Sequence, residues 1–320
     1  MSTIMTHLGN THSPASLFWQ LTSGKYIPNK LWASRRFRLK FMLRTLAFPV
    51  TTLRYLQQLA ALPNLPQLLS VQGLLPAKPH RPYLQAGFNV EQRARAIIDH
   101  YLQLSRLDSV ALRQLLQSPG DNLLAALNGK SGEEFCIHCC PGRFDREGEI
   151  TLELRYQTLL IGSLSFSLIT ENQQRTLLIG GLQGPRKHIS NDVIRDATKA
   201  AHGVFPKRLL LEAVFVLAQR CQVETILAVG DDTHVFRSLR YRHSKDDHFF
   251  ASYSEFWLSL GGEARADGLF RLPLGMARKA LEDIASKKRA EYRRRYDLLD
   301  RLNQQVNAAT GAAQPGQAAA

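Results

Sequence analysis

The sequence predicts an α/β protein of α+β type: a mixed, largely antiparallel sheet with one buried crossover helix, flanked by a basic helical N-terminal region and a basic C-terminal helix. Three observations carry this reading. Ile150, Leu152, Leu154 and Tyr156 alternate with Thr151, Glu153 and Arg155, the period-two pattern of a half-buried strand, and residues 159–170 supply a hairpin partner. Residues 209–218, behind Pro206, are apolar nearly all round, as a helix buried on every side must be. That helix is bracketed by two short apolar runs, 175–182 and 225–229, so strand, helix and strand form a crossover unit.

The elements follow in order. Residues 1–24 read as loosely ordered. Residues 30–62 read as helical with a break at Pro49, and residues 63–82, with Pro63, Pro66, Pro76, Pro79 and Pro82, as a linker closing a basic helical region over 25–82. A main domain is expected over 83–302. It opens with a helix at 90–107, whose apolar set is Ile97, Ile98, Tyr101 and Leu104. A second helix over 108–127 is interrupted at Pro119-Gly120. A short apolar strand at 135–140 and a turn-rich stretch at 141–148 precede the hairpin. A polar helix at 189–201 is capped by Ser190 or Asn191. After the crossover come short elements at 234–240 and 253–260 and a charged helix at 278–302. The tail over 303–320 is rich in Ala, Gly and Gln and is expected to be disordered.

The net charge of the 320-residue chain is +14, and its placement is uneven. The first 90 residues hold ten Lys and Arg and no Asp or Glu. Such a field concentrates anionic partners: lipid headgroups, nucleic acid, acidic proteins or phosphorylated cofactors. Arg36, Lys40 and Arg44 form an i, i+4, i+8 stripe, with Leu39, Met42, Leu43 and Leu46 on the adjoining face. Two readings stand side by side: a helix in a membrane interface, and a helix packed on its own protein with Arg stems reaching outward. The four cysteines, Cys136, Cys139, Cys140 and Cys221, lack the spacing of a secreted disulfide framework and point to a reducing compartment. Cys136, His138 and Cys140 would share one face of a strand. They read as small core residues, and no metal is expected. No run of apolar residues is long enough to span a bilayer, and Met1 to Gln20 lacks the pattern of a secretory signal. A cytoplasmic location, peripheral at the inner membrane, is expected.

Antiparallel strands feeding a strand–helix–strand crossover resemble the core of the acetyltransferase (GNAT-type) superfamily. The resemblance implies a cofactor arm passing between two splayed strands, with its pyrophosphate at the central helix N-terminus. Here that helix start carries Gly203, Lys207 and Arg208, and acyl-coenzyme A or acyl-carrier protein would be the donor. The sequence departs from that pattern in the roughly twenty residues that separate the glycine-rich Gly180–Gly184 segment from the helix. Gln183, Gly184 and Lys199 complete the candidate cofactor set. Asp231 and His234, past the end of a strand where α/β ligand sites gather, are candidate acid/base groups with Tyr253 and His202. Asp232 and Thr233 read as helix caps. Lys287, Lys288, Arg289 and Arg293 form a basic run suited to nucleic-acid phosphates or, like Arg36, Lys40 and Arg44, to another anionic partner.

The segments Gly180–Gly184, 199–207, 253–262 and 286–296, taken together, resemble the bacterial VirK/YbjX family over roughly residues 30–302. That resemblance implies a role in virulence, surface-protein display and resistance to antimicrobial peptides, but brings no catalytic residue with it. Its motif positions here include Gln183, Gly184, Lys199, His202, Gly203, Lys207, Tyr253, Trp257, Lys287, Lys288, Arg289 and Arg293. Three functions are compatible with the sequence: an envelope factor held at an anionic membrane, an acyl- or aminoacyltransferase acting on an envelope molecule, and a nucleic-acid binder using residues 287–295.

Overall fold

The structure, a computed structural model, describes residues 13–237 and 253–312. Its centre is an eight-stranded sheet of order β1-β2-β3-β4-β5-β6-β8-β7. Strands β1 (Asn122–Asn128), β2 (Glu134–Pro141), β3 (Ile150–Tyr156), β4 (Leu159–Glu171) and β5 (Gln174–Gln183) form an antiparallel meander. Strand β6 (Thr225–Val229) lies parallel to β5, the one parallel pair among the described residues. Strand β8 (Leu269–Leu272) is inserted between β6 and the two-residue β7 (Glu263–Ala264).

A parallel pair needs a crossover, and helix α8 (Pro206–Arg220) supplies it, after helix α7 (Asn191–Ala200), which Ser190 caps. Leu209, Leu210, Leu211, Ala213, Val214 and Leu217 are all fully buried because α8 is sandwiched between the sheet and the last helix, α10 (Ser286–Ala309). Helix α6 (Val110–Gln117) packs on the same side, against β2. The other sheet face carries Leu178, Leu227, Val229 and Leu269. An N-terminal layer covers it: α1 (Pro14–Ser23), α2 (Arg35–Ala47), α3 (Pro49–Ala60), α4 (Leu65–Val71) and α5 (Val90–Ser105). The result is a three-layer arrangement with two cores, one on each face of the sheet.

A buried polar cluster joins the N-terminal layer to the sheet. Lys78 Nζ sits 2.6 Å from Glu149 Oε1, and Tyr101 Oη donates to Glu149 Oε2 at 2.6 Å. Gln72 donates to the Glu149 carbonyl, Tyr83 shares a hydrogen bond with Ser167, and the Leu168 N–H donates to His100 Nδ1. Burial alone would raise the Glu149 carboxyl, but the Lys78 ammonium, helped by these hydrogen bonds, holds it below the ordinary range.

Several expectations are corrected. Residues 122–128 are the edge strand β1, not the end of a helix that started at 108. The run Leu123-Leu124-Ala125-Ala126-Leu127 suits either state, and pairing with β2 decides it. The edge is covered from α10, where the Gln305 amide bonds both the N–H and the carbonyl of Ala126. The proline-rich stretch 63–82 is folded rather than a linker: it holds α4 and a 3-10 turn, Leu75–His80, whose residues are buried against α5, α2 and α3. The N-terminal region therefore shares a core with the main domain. Of the segment expected to be loosely ordered, residues 14–23 form α1, with Leu17 and Leu21 buried. Of the expected tail, residues 303–309 continue α10 and bury Val306. The remaining parts, 1–12 and 313–320, lie outside the described residues. Among the described residues no helix is long and apolar enough to cross a membrane.

Two buried histidines make this fold acid-sensitive. Burial pushes His100 down to about 4, and burial with the nearby Arg44 and Arg93 charges brings His80 to about 4 from the ordinary 6.5. Between these limits the unfolded chain binds protons that the folded chain refuses, so stability falls as pH drops through that window, by on the order of 2–3 kcal/mol per histidine. Urea midpoints should decline from pH 7 to pH 4. A His100→Gln variant, which can still accept from Leu168 N–H, should show a shallower decline; an unchanged slope would remove His100 from the account.

Candidate functional site

The site is built by one irregularity in β5. Register with β4 shifts between Ser165–Gly181 and Phe166–Ile179, leaving Gly180 as the extra residue of a bulge. Pairing with β6 ends at Ile179–Ala228, one residue before β6 itself ends at Val229, so from the bulge onward β5 runs on past its parallel neighbour. Gly180 and Gly181 lie within this strand, as the apolar run 175–182 predicts. They are glycine for a packing reason: a Cβ on Gly180 would overlap the Glu147 carbonyl, and one on Gly181 would overlap the Glu147 carboxylate.

Glu147 thus lies directly against the carboxyl end of β5, and candidate groups gather around it. Gln183 Nε2 donates to Glu147 Oε1 at 2.7 Å, and His234 Nε2 lies 3.3 Å from the same oxygen. The His234 ring stacks on Tyr253 with centroids 5.4 Å apart, and Tyr253 stacks on Trp257 at 6.3 Å. Both aromatic residues come from helix α9 (Tyr253–Ser259). Trp257 is fixed by its indole N–H, which donates to the Val229 carbonyl at 2.9 Å. Across the gap the Leu182 N–H donates to Tyr253 Oη at 3.2 Å, bridging β5 to α9. Burial first, and then the Glu147 charge, push the Tyr253 phenol well up, so it keeps its proton. Glu147 Oε2 is buried and makes no hydrogen bond among the described residues.

Of the sequence candidates, the fold brings Gln183, His234 and Tyr253 together. Asp231 sits beside them, and its carboxylate accepts from the backbone N–H groups of Tyr253 (2.7 Å) and Ser254 (3.2 Å), which starts α9 where it stands. This cap is a different one from that expected at Asp232 or Thr233 for the short element beginning at 234. Lys207, in the first turn of α8, places its ammonium 5.8 Å over the Phe256 ring, and burial lowers its pKa. Arg208 is engaged by Glu212, one helical turn on. Gly184 is exposed, with open space where a Cβ would stand.

His202 and Gly203 are turned to another task. Both have positive φ, 53° and 81°. Arg295 of α10 donates to the His202 carbonyl at 2.9 Å, and a Cβ on Gly203 would stand 2.6 Å from its guanidinium. The turn is a seat for α10, not a phosphate cradle. Lys199 is exposed and faces Asp196. In α10, Arg289 is spent on the carbonyls of Ile284 and Glu282, while Lys287, Lys288 and Arg293 point to solvent. Arg36 and Lys40 are exposed on α2, and Arg44 is half-buried there. Cys139, Cys140 and Cys221 are buried free thiols; burial pushes Cys140 and Cys221 up to about 12. Among the described residues no cluster of three or more side chains is placed to hold a metal. Sequence reading missed Glu147. It stands in a stretch read only as turns, and the signal that could have found it is the Gly180-Gly181 pair, which demands a close neighbour.

A family model described as "Protein of unknown function (DUF535)" matches residues 30–308. The chain is 43% identical over 297 residues to the uncharacterized protein YbjX of Escherichia coli (strain K12), covering 92% of this chain and 89% of that protein. Two uncharacterized proteins of Haemophilus influenzae match about half of each chain. One is 36% identical over 157 residues (49% of this chain, 51% of that protein), the other 32% over 158 (49% and 50%). No solved structure matches. The VirK/YbjX resemblance is borne out, and no likeness to a solved acetyltransferase accompanies it.

The close seating of Glu147 on Gly181 generates a test. Gly181→Ala should destabilise the protein by about 1–3 kcal/mol through overpacking. Adding Glu147→Ala should recover part of that loss, because the two sites touch and their effects cannot add. Urea unfolding of the two single variants and the double variant measures the coupling; strict additivity would separate the two residues.

Proposed function

This chain belongs to the family of proteins of unknown function called DUF535, and for it we propose transfer of an acyl or aminoacyl group from a coenzyme A or carrier-protein thioester to an envelope molecule. The observation that carries this reading is the bulge at Gly180, beyond which β5 no longer pairs with β6, at the carboxyl ends of two parallel strands. An antiparallel meander followed by a buried crossover helix is the acetyltransferase-like order. An opening between its parallel strands is where such a fold would take a pantetheine arm. The carboxyl ends of parallel strands are also where ligands collect in α/β sheets generally.

The roles follow from position. The first turn of α8 has no side-chain cap, and Lys207 adds a cation to its positive dipole end, so a donor phosphate fits there. The acceptor amine or hydroxyl attacks the thioester carbonyl, the carbon–sulfur bond breaks, and the acceptor loses a proton. His234, oriented by Glu147, is the group suited to receive that proton. Tyr253, which keeps its proton, is suited to give one to the departing thiolate. A donor between the strands has to displace the hydrogen bond from Leu182 N–H to Tyr253 Oη. Such a transfer would change the charge of envelope molecules and so link this chemistry to the peptide resistance that the VirK/YbjX resemblance implies.

Calorimetric titration of purified protein with acyl-coenzyme A and with acyl-carrier protein tests this directly. Binding of one donor is expected, weakened about tenfold or more by Lys207→Ala, the usual scale for a lost charge-assisted contact. Failure of a folded sample to bind either donor would overturn the proposal.

A further inference from the structure

Helix α2 presents two faces to two different environments. Phe41 and Thr45 turn inward, and Phe41 packs edge-on against Trp32. On the outward side Leu39, Leu43 and Leu46, at helical spacing, are 54%, 56% and 74% exposed. The chain then turns at Phe48, and α3 begins with Val50 and Leu53, 46%, 67% and 42% exposed in that order. A row of six large apolar side chains thus stands in solvent along one helix and the start of the next. A single exposed leucine needs no explanation, but a row of this kind does.

The charge around this row has one sign. Arg35, Arg36, Lys40 and Arg54 are exposed on the same two helices, and no Asp or Glu occurs before Glu91. On α2 the helical repeat sets Arg36 and Lys40 along one flank of the apolar row. We infer that the outer face of α2 and the start of α3 is a docking surface for an anionic lipid bilayer, with the apolar row entering the acyl boundary and the flanking cations meeting headgroup phosphates. The helix does pack on its own protein, through Phe41 and Thr45, but that packing leaves Leu39, Leu43 and Leu46 on the outer face exposed. A second copy is a poor occupant, because a two-fold interface over this face would set Arg36 and Lys40 against their own equivalents. A nucleic acid would satisfy the cations and leave the apolar row without a partner. The surface uses none of the residues around Glu147, so it stands or falls independently of the transfer reading.

Flotation of the full chain tests it. With vesicles of phosphatidylethanolamine and phosphatidylglycerol the protein is expected to float, and with phosphatidylcholine alone to remain largely at the bottom. Leu43→Asp with Leu46→Asp should abolish flotation. Arg36→Glu with Lys40→Glu should reduce partitioning roughly tenfold or more, since each cation near an anionic surface adds several-fold to binding. All four positions are exposed, so both variants should keep the wild-type circular dichroism and urea midpoint. Wild-type protein that ignores anionic vesicles would overturn the inference, as would a Leu43→Asp/Leu46→Asp variant that floats like wild type. A solution dimer dissolved by that same variant would assign the face to a second copy and overturn it too.

Discussion

The arrangement depends on the buried contact between Lys78 and Glu149. A cation and a carboxylate taken out of water lose hydration worth several kcal/mol each, and only close pairing with further hydrogen bonds compensates. Both conditions hold: Lys78 also reaches Gln72 and stands 5.0 Å over the Tyr83 ring, and Glu149 also takes the Tyr101 hydroxyl. The contact links three stretches distant in sequence, the 3-10 turn before β1, helix α5 and the start of β3. Once Glu149 is fixed, its neighbours follow. Gly148 lies directly on the Phe166 backbone, where a side chain has no room. Glu147, one residue earlier, is thereby delivered to Gly180 and Gly181 at the carboxyl end of β5. The scaffold and the candidate site are adjacent parts of one loop.

This contact also explains where the charge imbalance goes. Ten cations in the first 90 residues have no local acid, so any ion pair they make must be long-range. Lys78 finds Glu149 and Arg81 finds Asp145, both in or beside the loop between β2 and β3. Arg38 turns inward to the carbonyls of Trp32 and Ala33. Arg35, Arg36, Lys40 and Arg54 are left outside. The uneven charge is therefore partly structural, consumed in docking the N-terminal layer, and partly a surface property of α2 and α3.

What could be read in the sequence was what local pattern determines. The strand β3 and its hairpin with β4, the largely apolar α8 and the break at Pro49 each follow from periodicity or backbone chemistry within a few residues and are present, although β3 is not half-buried as its alternation suggests: Thr151 and Glu153 are buried as well. The elements misread depend on distant partners. Residues 122–128 are apolar without period, and only β2 and Gln305 make them a strand. The prolines of 63–82 suggest a spacer, yet Leu75, Pro76 and Pro79 are buried because α5, α2 and α3 close over them. In the site, His234, Tyr253 and Gln183 were visible as residue types near element ends. Glu147 was not, because a carboxylate in a turn-rich stretch carries no local sign of burial. Gly203 was misassigned for the same reason, since its partner, Arg295, is 92 positions away in the chain.

The two carboxylates of this loop, two residues apart and both buried, differ in a way that separates support from chemistry. Both Glu149 oxygens are bonded, one to Lys78 and one to Tyr101. A buried carboxylate held for structure alone has every reason to be so satisfied, because an idle oxygen costs free energy. Glu147 concentrates its contacts on Oε1, where Gln183 and His234 meet, and its Oε2 makes no hydrogen bond among the described residues. Around it stand an imidazole and a phenol that keeps its proton, where β5 runs on past β6. The contrast sets a carboxylate whose two oxygens are both consumed in support beside one that keeps an oxygen unbonded among the described residues, which is what the proposed transfer asks of the group that orients His234.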